Sequence, residues 1–340
     1  MDAVRGLDEL VERCARALRV GADSPPALSA WLEERAADIA AAAEVMADRP
    51  CRAEALARAR ELAGYARTVE ALVLSPGIPQ RTDAWYAARE TMVTGSELAD
   101  ATDPSRMRRF FERKLAGPGA WNDLKDNPAI KWGVKYEPVA CELYERRSGC
   151  RVHEFGLLPH PTIPSFGASP DGISDLGIML EIKCPYSRVI TGQVPPSYYA
   201  QVQAQLDTTG LRECDFLECK LEEYADAGEF EADSHPGDPS LTKGGLEKGG
   251  VWQHGDAHEV CVGRDAPGWA ADRPGASLWR LVVYSRVRVL KDDSFMKNLR
   301  GGIDLAAARI ARYREAPDEL QRDFPPRQDP WKLKSFAFRV

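Results

Sequence analysis

Two acids and an amine, Asp171, Glu181 and Lys183, lie close together in the stretch FGASPDGISDLGIMLEIKCP, residues 166–185. Ser174 to Gly177 reads as a turn and residues 178–183 as a strand, so a hairpin brings Asp171 opposite Glu181. Side chains alternate along a strand; Glu181 and Lys183 therefore share one face, and Leu180 and Ile182 enter the core on the other. Carboxylates about 4 Å apart repel by roughly 4 kcal/mol at an effective dielectric of about 20. One lysine offsets part of that, and a divalent cation offsets more. Mg²⁺ takes hard oxygen ligands, commonly one or two carboxylates completed by water and phosphate. A lysine two residues from such a ligand can steady or deprotonate an attacking water. The trio fits metal-assisted hydrolysis of a phosphodiester, but its spacing alone is a weak signal that a solvated salt bridge on a surface hairpin explains more readily.

The surroundings favour chemistry. SPDGIS…LEIKCP resembles the signature of the PD-(D/E)xK nucleases, specifically the lambda exonuclease branch, also called the YqaJ viral recombinase family. Three further blocks resemble that family in the same order, so the likeness spans about residues 84–220, with a weaker one toward the C-terminus. In DAWYAARETMVTGSELADA, residues 83–101, Trp85 and Arg89 stand four apart on an expected helix, and Thr94 with Glu97 forms a capping box. Hydroxyls at a helix start beside an arginine also suit an anion. The resemblance implies that Arg89, Thr94 and Ser96, helped by Ser169, hold a terminal 5′-phosphate. In WGVKYEPVACELYERRSG, residues 132–149, the positions Trp132, Tyr136, Val139 and Leu143 mark a buried helix side. Pro138 suits a first turn or a kink and so places Glu137 near the helix start. The resemblance makes Glu137 a third carboxylate facing the metal. In SYYAQVQAQLDTTGLRECDFLECK, residues 197–220, Ser197 is expected to cap a helix ending at Gly210; Gln201 and Gln205 share a face of it. Gln201 matches a family glutamine near the attacking water.

The resemblance implies a restriction-endonuclease-like α/β fold, a central mixed sheet flanked by helices, here with an added N-terminal helical subdomain. It implies a Mg²⁺-dependent 5′→3′ exonuclease, with Mn²⁺ able to substitute, that degrades one strand of linear double-stranded DNA for recombination, repair or viral genome processing. Asp171, Glu181 and the Ile182 backbone carbonyl would bind the metal with Glu137 in support. Lys183 would orient or activate hydroxide and Gln201 would stand near it. Partners implied are duplex DNA ends and a single-strand annealing protein; some relatives close into rings, and the sequence does not set an oligomeric state. Two alternatives stand beside this reading: an endonuclease acting on DNA or RNA, as in viral alkaline nucleases, and a catalytically silent DNA-end-binding module.

The rest of the chain bounds these readings. It has 340 residues and a net charge of −7, which at first disfavours a nucleic-acid partner. Between Leu221 and Thr242, however, stand seven acids and no Lys or Arg; removing them from the 52 acids leaves 45 against 45 basic residues. No apolar run reaches ~20 residues, so no membrane partner is expected. Eight scattered cysteines without a CxxC pair suggest a reduced, intracellular protein, in cytoplasm or nucleus. His254, His258 and Cys261 have zinc-like spacing without a fourth ligand, and no iron–sulfur spacing occurs, so neither metal is expected. The basic runs 106–114 and 131–135 could follow a nucleic-acid backbone, with Phe110 and Phe111 as core residues.

Four segments are expected. Residues 1–78 form an Ala-rich helical subdomain in which Ser24 and Pro25 start a helix, and 75–83 serve as a linker. Residues 79–220 form the nuclease core. Residues 221–277 are an acidic, Gly-rich insertion, mobile or partly ordered, whose acids could lie over a basic groove. Residues 278–340 supply a strand from Leu278 to Leu290 and a helix from about Phe295 to Arg314 that complete the core.

Overall fold

The computed structural model describes residues 2–19, 27–117, 127–255 and 257–325. Three helices come first: α1 (Asp2–Arg19), α2 (Leu28–Ala47) and α3 (Arg52–Val73). They pack on one another through small and aliphatic side chains such as Val11, Leu32, Ile39, Ala59 and Leu62, all buried. Alanine lets helix axes approach closely, which suits an Ala-rich segment with charged outer faces. Helix α2 starts at Leu28 with Ala27 at its cap; the expected start at Ser24 and Pro25 lies outside the described residues.

Next come α4 (Asp83–Thr91), β1 (Val93–Thr94), a 3-10 turn (Gly95–Glu97), α5 (Leu98–Thr102), α6 (Met107–Leu115) and α7 (Pro128–Ser148). Short strands β2 (Val152–His153), β3 (Leu158–Pro159), β4 (Phe166–Ala168) and β5 (Gly172–Ser174) lead to β6 (Met179–Lys183), then α8 (Pro196–Thr209) and β7 (Glu213–Glu223). The chain continues with α9 (Ala227–Ala232), β8 (Lys248–His254), β9 (Ala257–Val262), α10 (Ala266–Ala271), β10 (Ser277–Leu290), α11 (Asp293–Glu315) and α12 (Asp318–Asp323).

Seven strands form a mixed sheet in the order β2-β5-β6-β7-β10-β8-β9, and β1-β4-β3 form a small second sheet. Only β6 and β7 run parallel within the large sheet, with α8 as their crossover. Helix α7 covers one face through Tyr136, Val139 and Leu143 against Leu180, Ile182 and Leu217. Helix α8 covers the other through Val202 and Leu206 against Met179 and Phe216. The fold is thus a central mixed sheet flanked by helices, with an N-terminal helical region, as expected.

Local features depart from expectation in instructive ways. Pro138 lies in the interior of α7, which begins ten residues sooner at Pro128 under an Asn127 cap. Glu137 is therefore mid-helix rather than at a helix start, and a dipole gives no account of it. Pro195 and Pro196, not Ser197, begin α8; Gly210 ends it as expected. Ile78 bonds across to Leu157 and Gly156 bonds to Pro76 O, so residues 75–83 are part of the folded body rather than a free linker.

The acidic insertion is structured. It supplies β8 and β9 to the main sheet, and β8 pairs with β10. Its acids meet basic partners nearby: Glu222 with Arg280 of β10 at 2.8 Å, and Glu223 with Lys135 of α7 at 2.5 Å. A self-covering acidic flap is not needed to explain them. Alternation in Val251, Trp279 and Leu281, which pack into the α7 side of the core, explains why an acidic stretch nevertheless folds.

Candidate active site

The turn between β5 and β6 closes with Gly177 N donating to Ser174 O at 2.8 Å and Ile178 N to Ser174 Oγ at 3.0 Å. Gly177 has φ +77°, and a Cβ there would strike Tyr65 of α3, so only glycine closes this hairpin against the N-terminal helices. Gly172 pairs with Leu180, which puts Asp171 beside Glu181. The Asp171 carboxylate accepts from Ile182 N at 2.7 Å.

Lys183 collects the rest. Its Nζ bonds to Glu181 Oε1, donates to the Ile182 carbonyl at 3.1 Å and lies 3.9 Å from Asp171 Oδ2. Two carboxylates and one carbonyl thus converge on a single point, where an ammonium sits. Glu137 reaches toward the same centre from α7. Burial, then Asp171, push Glu137 up to about 7, with Arg81 and Lys183 opposing. Burial and Asp171 likewise push Glu181, which is fully buried, up to about 7. Lys183 moves the other way: burial would lower its pKa, but Glu181 and Asp171 together hold it above its ordinary value. The centre is short of positive charge.

Among the described residues no group of three or more His, Cys, Asp or Glu side chains is gathered closely enough to be a preformed metal cage. That disagrees with an expectation of three acids around one ion, and the reason is electrostatic: only Lys183 draws the acids together, and it reaches two of them. The donor chemistry still suits Mg²⁺, which needs no more than one or two carboxylates from protein. Asp171, Glu181 and the Ile182 carbonyl are hard oxygens meeting at one point.

The glutamine that bonds to an acid of this centre is Gln205, on the same helix as the expected Gln201. Gln205 Nε2 donates to Glu181 Oε2 at 2.7 Å and to the Ser169 carbonyl at 3.1 Å. Gln201 stands a turn away, its carbonyl near Gly95. Both share a helix face in the sequence; which turn meets the acid depends on how α8 is set against the sheet.

A second cluster adjoins the first. Arg89 is 7 % exposed, stacks over the Trp85 ring at 4.3 Å and donates to Ser96 Oγ at 3.3 Å. Thr94 Oγ1 lies 3.4 Å from Ser96 Oγ, and Trp85 Nε1 donates to Ser169 Oγ at 3.2 Å. All four expected phosphate residues therefore come together. Thr94 and Glu97 complete the capping box, and Lys114 bonds to Glu97 at 2.7 Å inside the core. Lys114 and Arg89 hold Glu97 below the usual range although its burial opposes this. Space at Gly95 is tight: a Cβ would meet Ala204 at 3.3 Å and Ala168 at 3.4 Å. The basic run 106–114 is not an open stripe, because Lys114 is buried, Arg113 pairs with Asp100 and Arg108 with Glu112. Phe110 and Phe111 are core residues, as expected.

A cleft of about 430 Å³ opens beside the acids, lined by Glu137, Ile182, Lys183, Arg188, Tyr198 and Ile130 among others. Lys183 Nζ stands 5.2 Å over the Tyr198 ring. The sequence motifs did not point to Tyr198 or to Arg81, whose guanidinium lies 3.4 Å from Glu137.

Fold and site together set two acids and a lysine beside a cluster of hydroxyls and an arginine at one end of a mixed sheet. Residues 84–212 match the model of the YqaJ-like viral recombinase domain. The chain is 34% identical over 204 residues to uncharacterized protein R354 of Acanthamoeba polyphaga mimivirus, a match covering 54% of this chain and 37% of that one. It is 25% identical over 199 residues to protein D345L of African swine fever virus (strain Badajoz 1971 Vero-adapted), covering 48% of this chain and 57% of the relative. The matched stretch thus spans well under two thirds of either relative. Among solved structures, the alkaline exonuclease LHK-Exo from Laribacter hongkongensis is similar at 23% identity and a TM-score of 0.46, covering 71% of this chain and 99% of that one. The same enzyme in complex with dAMP gives 25% identity and a TM-score of 0.45, covering 75% of this chain and 100% of that one. No helix among the described residues is long and apolar enough to cross a membrane.

Proposed function

We propose that this chain is a Mg²⁺-dependent exonuclease that shortens the 5′-phosphorylated strand of linear duplex DNA. One observation carries the reading: Gln205 bonds to both Glu181 and the Ser169 backbone, and Ser169 in turn accepts from Trp85 under Arg89. The phosphate cluster and the acid centre are thereby linked by hydrogen bonds through Gln205, Ser169 and Trp85 and by the Arg89 guanidinium over the Trp85 ring. A terminal phosphate held by Arg89, Thr94, Ser96 and Ser169 would set the next phosphodiester at a fixed distance beside the acids.

Asp171, Glu181 and the Ile182 carbonyl would hold the cation with Glu137 in support; when bound, such an ion polarises a phosphoryl oxygen and eases ionisation of water. Lys183, kept protonated by its two acids, donates hydrogen bonds and orients the attacking water instead of acting as its base in the free protein. Gln205 steadies Glu181. Water oxygen bonds to phosphorus as the P–O3′ bond breaks, the 3′ oxygen takes a proton, and a 5′-mononucleotide leaves. The remaining strand keeps a new 5′-phosphate, which can enter the same pocket.

The test sets linear 5′-phosphate duplex, linear 5′-hydroxyl duplex and closed circles side by side with Mg²⁺. Fast release of mononucleotides from the first, slower from the second and none from circles is expected. Circles cut as fast as ends would favour an endonuclease. Binding to ends without cleavage under any condition would leave a silent end-binding module.

A further inference from the structure

We propose that Arg81 grips the scissile phosphate, and that the free protein keeps its guanidinium against Glu137 until substrate arrives. This rests on the nuclease reading above and adds a substrate-contacting residue to it. Arg81 has φ +65°, one of two non-glycine residues with positive φ among those described; the other, Asp48, merely ends a helix. Backbone held in this region is strained and persists only where its surroundings enforce it. Here both neighbours do so. Gln80 Nε2 donates to Phe155 O at 3.0 Å and to Pro170 O at 3.4 Å, next to Asp171. Thr82 Oγ1 donates to Pro79 O at 2.8 Å and caps the helix bearing Trp85 and Arg89 by accepting from Trp85 N at 3.2 Å. Arg81 is thereby pinned at the junction between the acid centre and the anion pocket.

What the side chain does there in the free protein is weak. Its Nη2 lies 3.4 Å from both oxygens of Glu137, and the two side chains are 40% and 32% exposed. A long, half-open pair of this kind contributes little. Neighbouring cations are committed more closely: Arg188 to Glu218, Lys135 to Glu223, and Lys183 to Glu181. Strain retained for so weak a bond points to a stronger partner. A phosphodiester lying against Asp171 and Glu181 presents two non-bridging oxygens, which a guanidinium fork can take together. Arg81 would then exchange Glu137 for phosphate and offset the charge that builds there as water adds.

Arg81→Gly removes the guanidinium and relaxes the backbone, since glycine accepts this φ freely; Arg81→Lys keeps the charge without the fork. Affinity for a 5′-phosphorylated duplex is measured with Ca²⁺ over a range of salt, and kcat/KM with Mg²⁺. For Arg81→Gly, kcat/KM should fall about 100-fold, binding should weaken about tenfold, and the slope of log K against log salt should shrink by about one. Arg81→Lys should recover the slope but not the rate. The affinity loss should persist when Arg81→Gly is made in a Glu137→Gln background. Unchanged affinity and slope, or a loss that vanishes once Glu137 is neutral, would assign Arg81 to Glu137 alone and overturn the proposal. If the wild type binds 5′-phosphate ends and cleaves them, such a failure belongs to Arg81; if it does neither, the nuclease reading falls first and takes this one with it.

Discussion

Two buried clusters of charge lie on the same sheet and are balanced in opposite ways. Behind β7 and β10, Arg58 and Arg288 are enclosed with Glu12, Glu213 and Asp215. Arg58 reaches Glu12 at 2.7 Å and also bonds to Glu213; Arg288 reaches Asp215 at 2.7 Å and Glu12 at 3.1 Å, and also bonds to Glu213. Tyr144 adds a hydrogen bond to Asp215 at 2.9 Å. Burial alone would raise the Asp215 pKa, but Arg288 and Arg286 hold it below the ordinary value. At the other cluster burial, then Asp171, push Glu181 and Glu137 up to about 7, and Lys183 reaches only two of the three acids. The difference separates two uses of buried charge. The first cluster ties α1 and α3 to the sheet; the second is short of positive charge, which is what the proposed cation would supply.

Breaking each cluster should hurt a different property. Lys183→Ala should lower cleavage by about 10³-fold or more, with DNA binding kept, as read by turnover assays beside filter binding. Retained activity would remove Lys183 from the chemistry. Arg58→Ala, at a side chain only 4% exposed, leaves Glu12 and Glu213 short of a partner and should cost about 3–5 kcal/mol in urea unfolding. A loss below 1 kcal/mol there would mean the network is not what docks the helices. Arg89→Ala should slow degradation of 5′-phosphorylated ends about 100-fold while leaving 5′-hydroxyl ends nearly untouched, because the guanidinium is argued to meet only the terminal phosphate.

The smallest effect is in pH, and its sign differs between the clusters. Glu181 has a folded pKa above its unfolded value near 4.5, so the cation-free fold holds more protons there between about 4.5 and 7 and loses stability as pH rises through that window. Asp215, depressed when folded, contributes stability above about 3.8 that is lost as pH falls below its folded pKa. Melting temperature without metal should therefore decline as pH rises from about 4.5 to 7. Glu181→Gln should flatten that decline. Mg²⁺ at pH 8 should restore the wild-type protein and not the variant. An unchanged decline in Glu181→Gln would place its origin outside the acid centre.

Much of this was readable from residue order. The hairpin pairing Asp171 with Glu181 follows from a glycine turn and a strand of alternating character, both local. The capping box of Thr94 and Glu97, the glycine end of α8, the end of β10 and the apolar side of α7 are set by near neighbours for the same reason. Other features needed contacts across the chain. The insertion looked loop-like because acids and glycines dominate it, but β10 supplies a partner edge and Arg280 a counter-charge from beyond it. Pro138 looked like a boundary; α7 carries it in mid-helix, between residues that the sheet holds in place.

The amino-acid order by itself determined which groups are present and which stand on a common strand or helix face: acids and lysine on the hairpin, hydroxyls beside an arginine, two glutamines on one helix. Only the tertiary structure decided that Gln205 and not Gln201 meets Glu181, that Arg81 faces Glu137 from 56 residues away, and that Gln205 joins the two halves of the site. Periodicity specifies the direction of a side chain relative to its own element. The rotation and advance of one element against another come from packing among residues distant in sequence, such as Val202 and Leu206 against Met179 and Phe216.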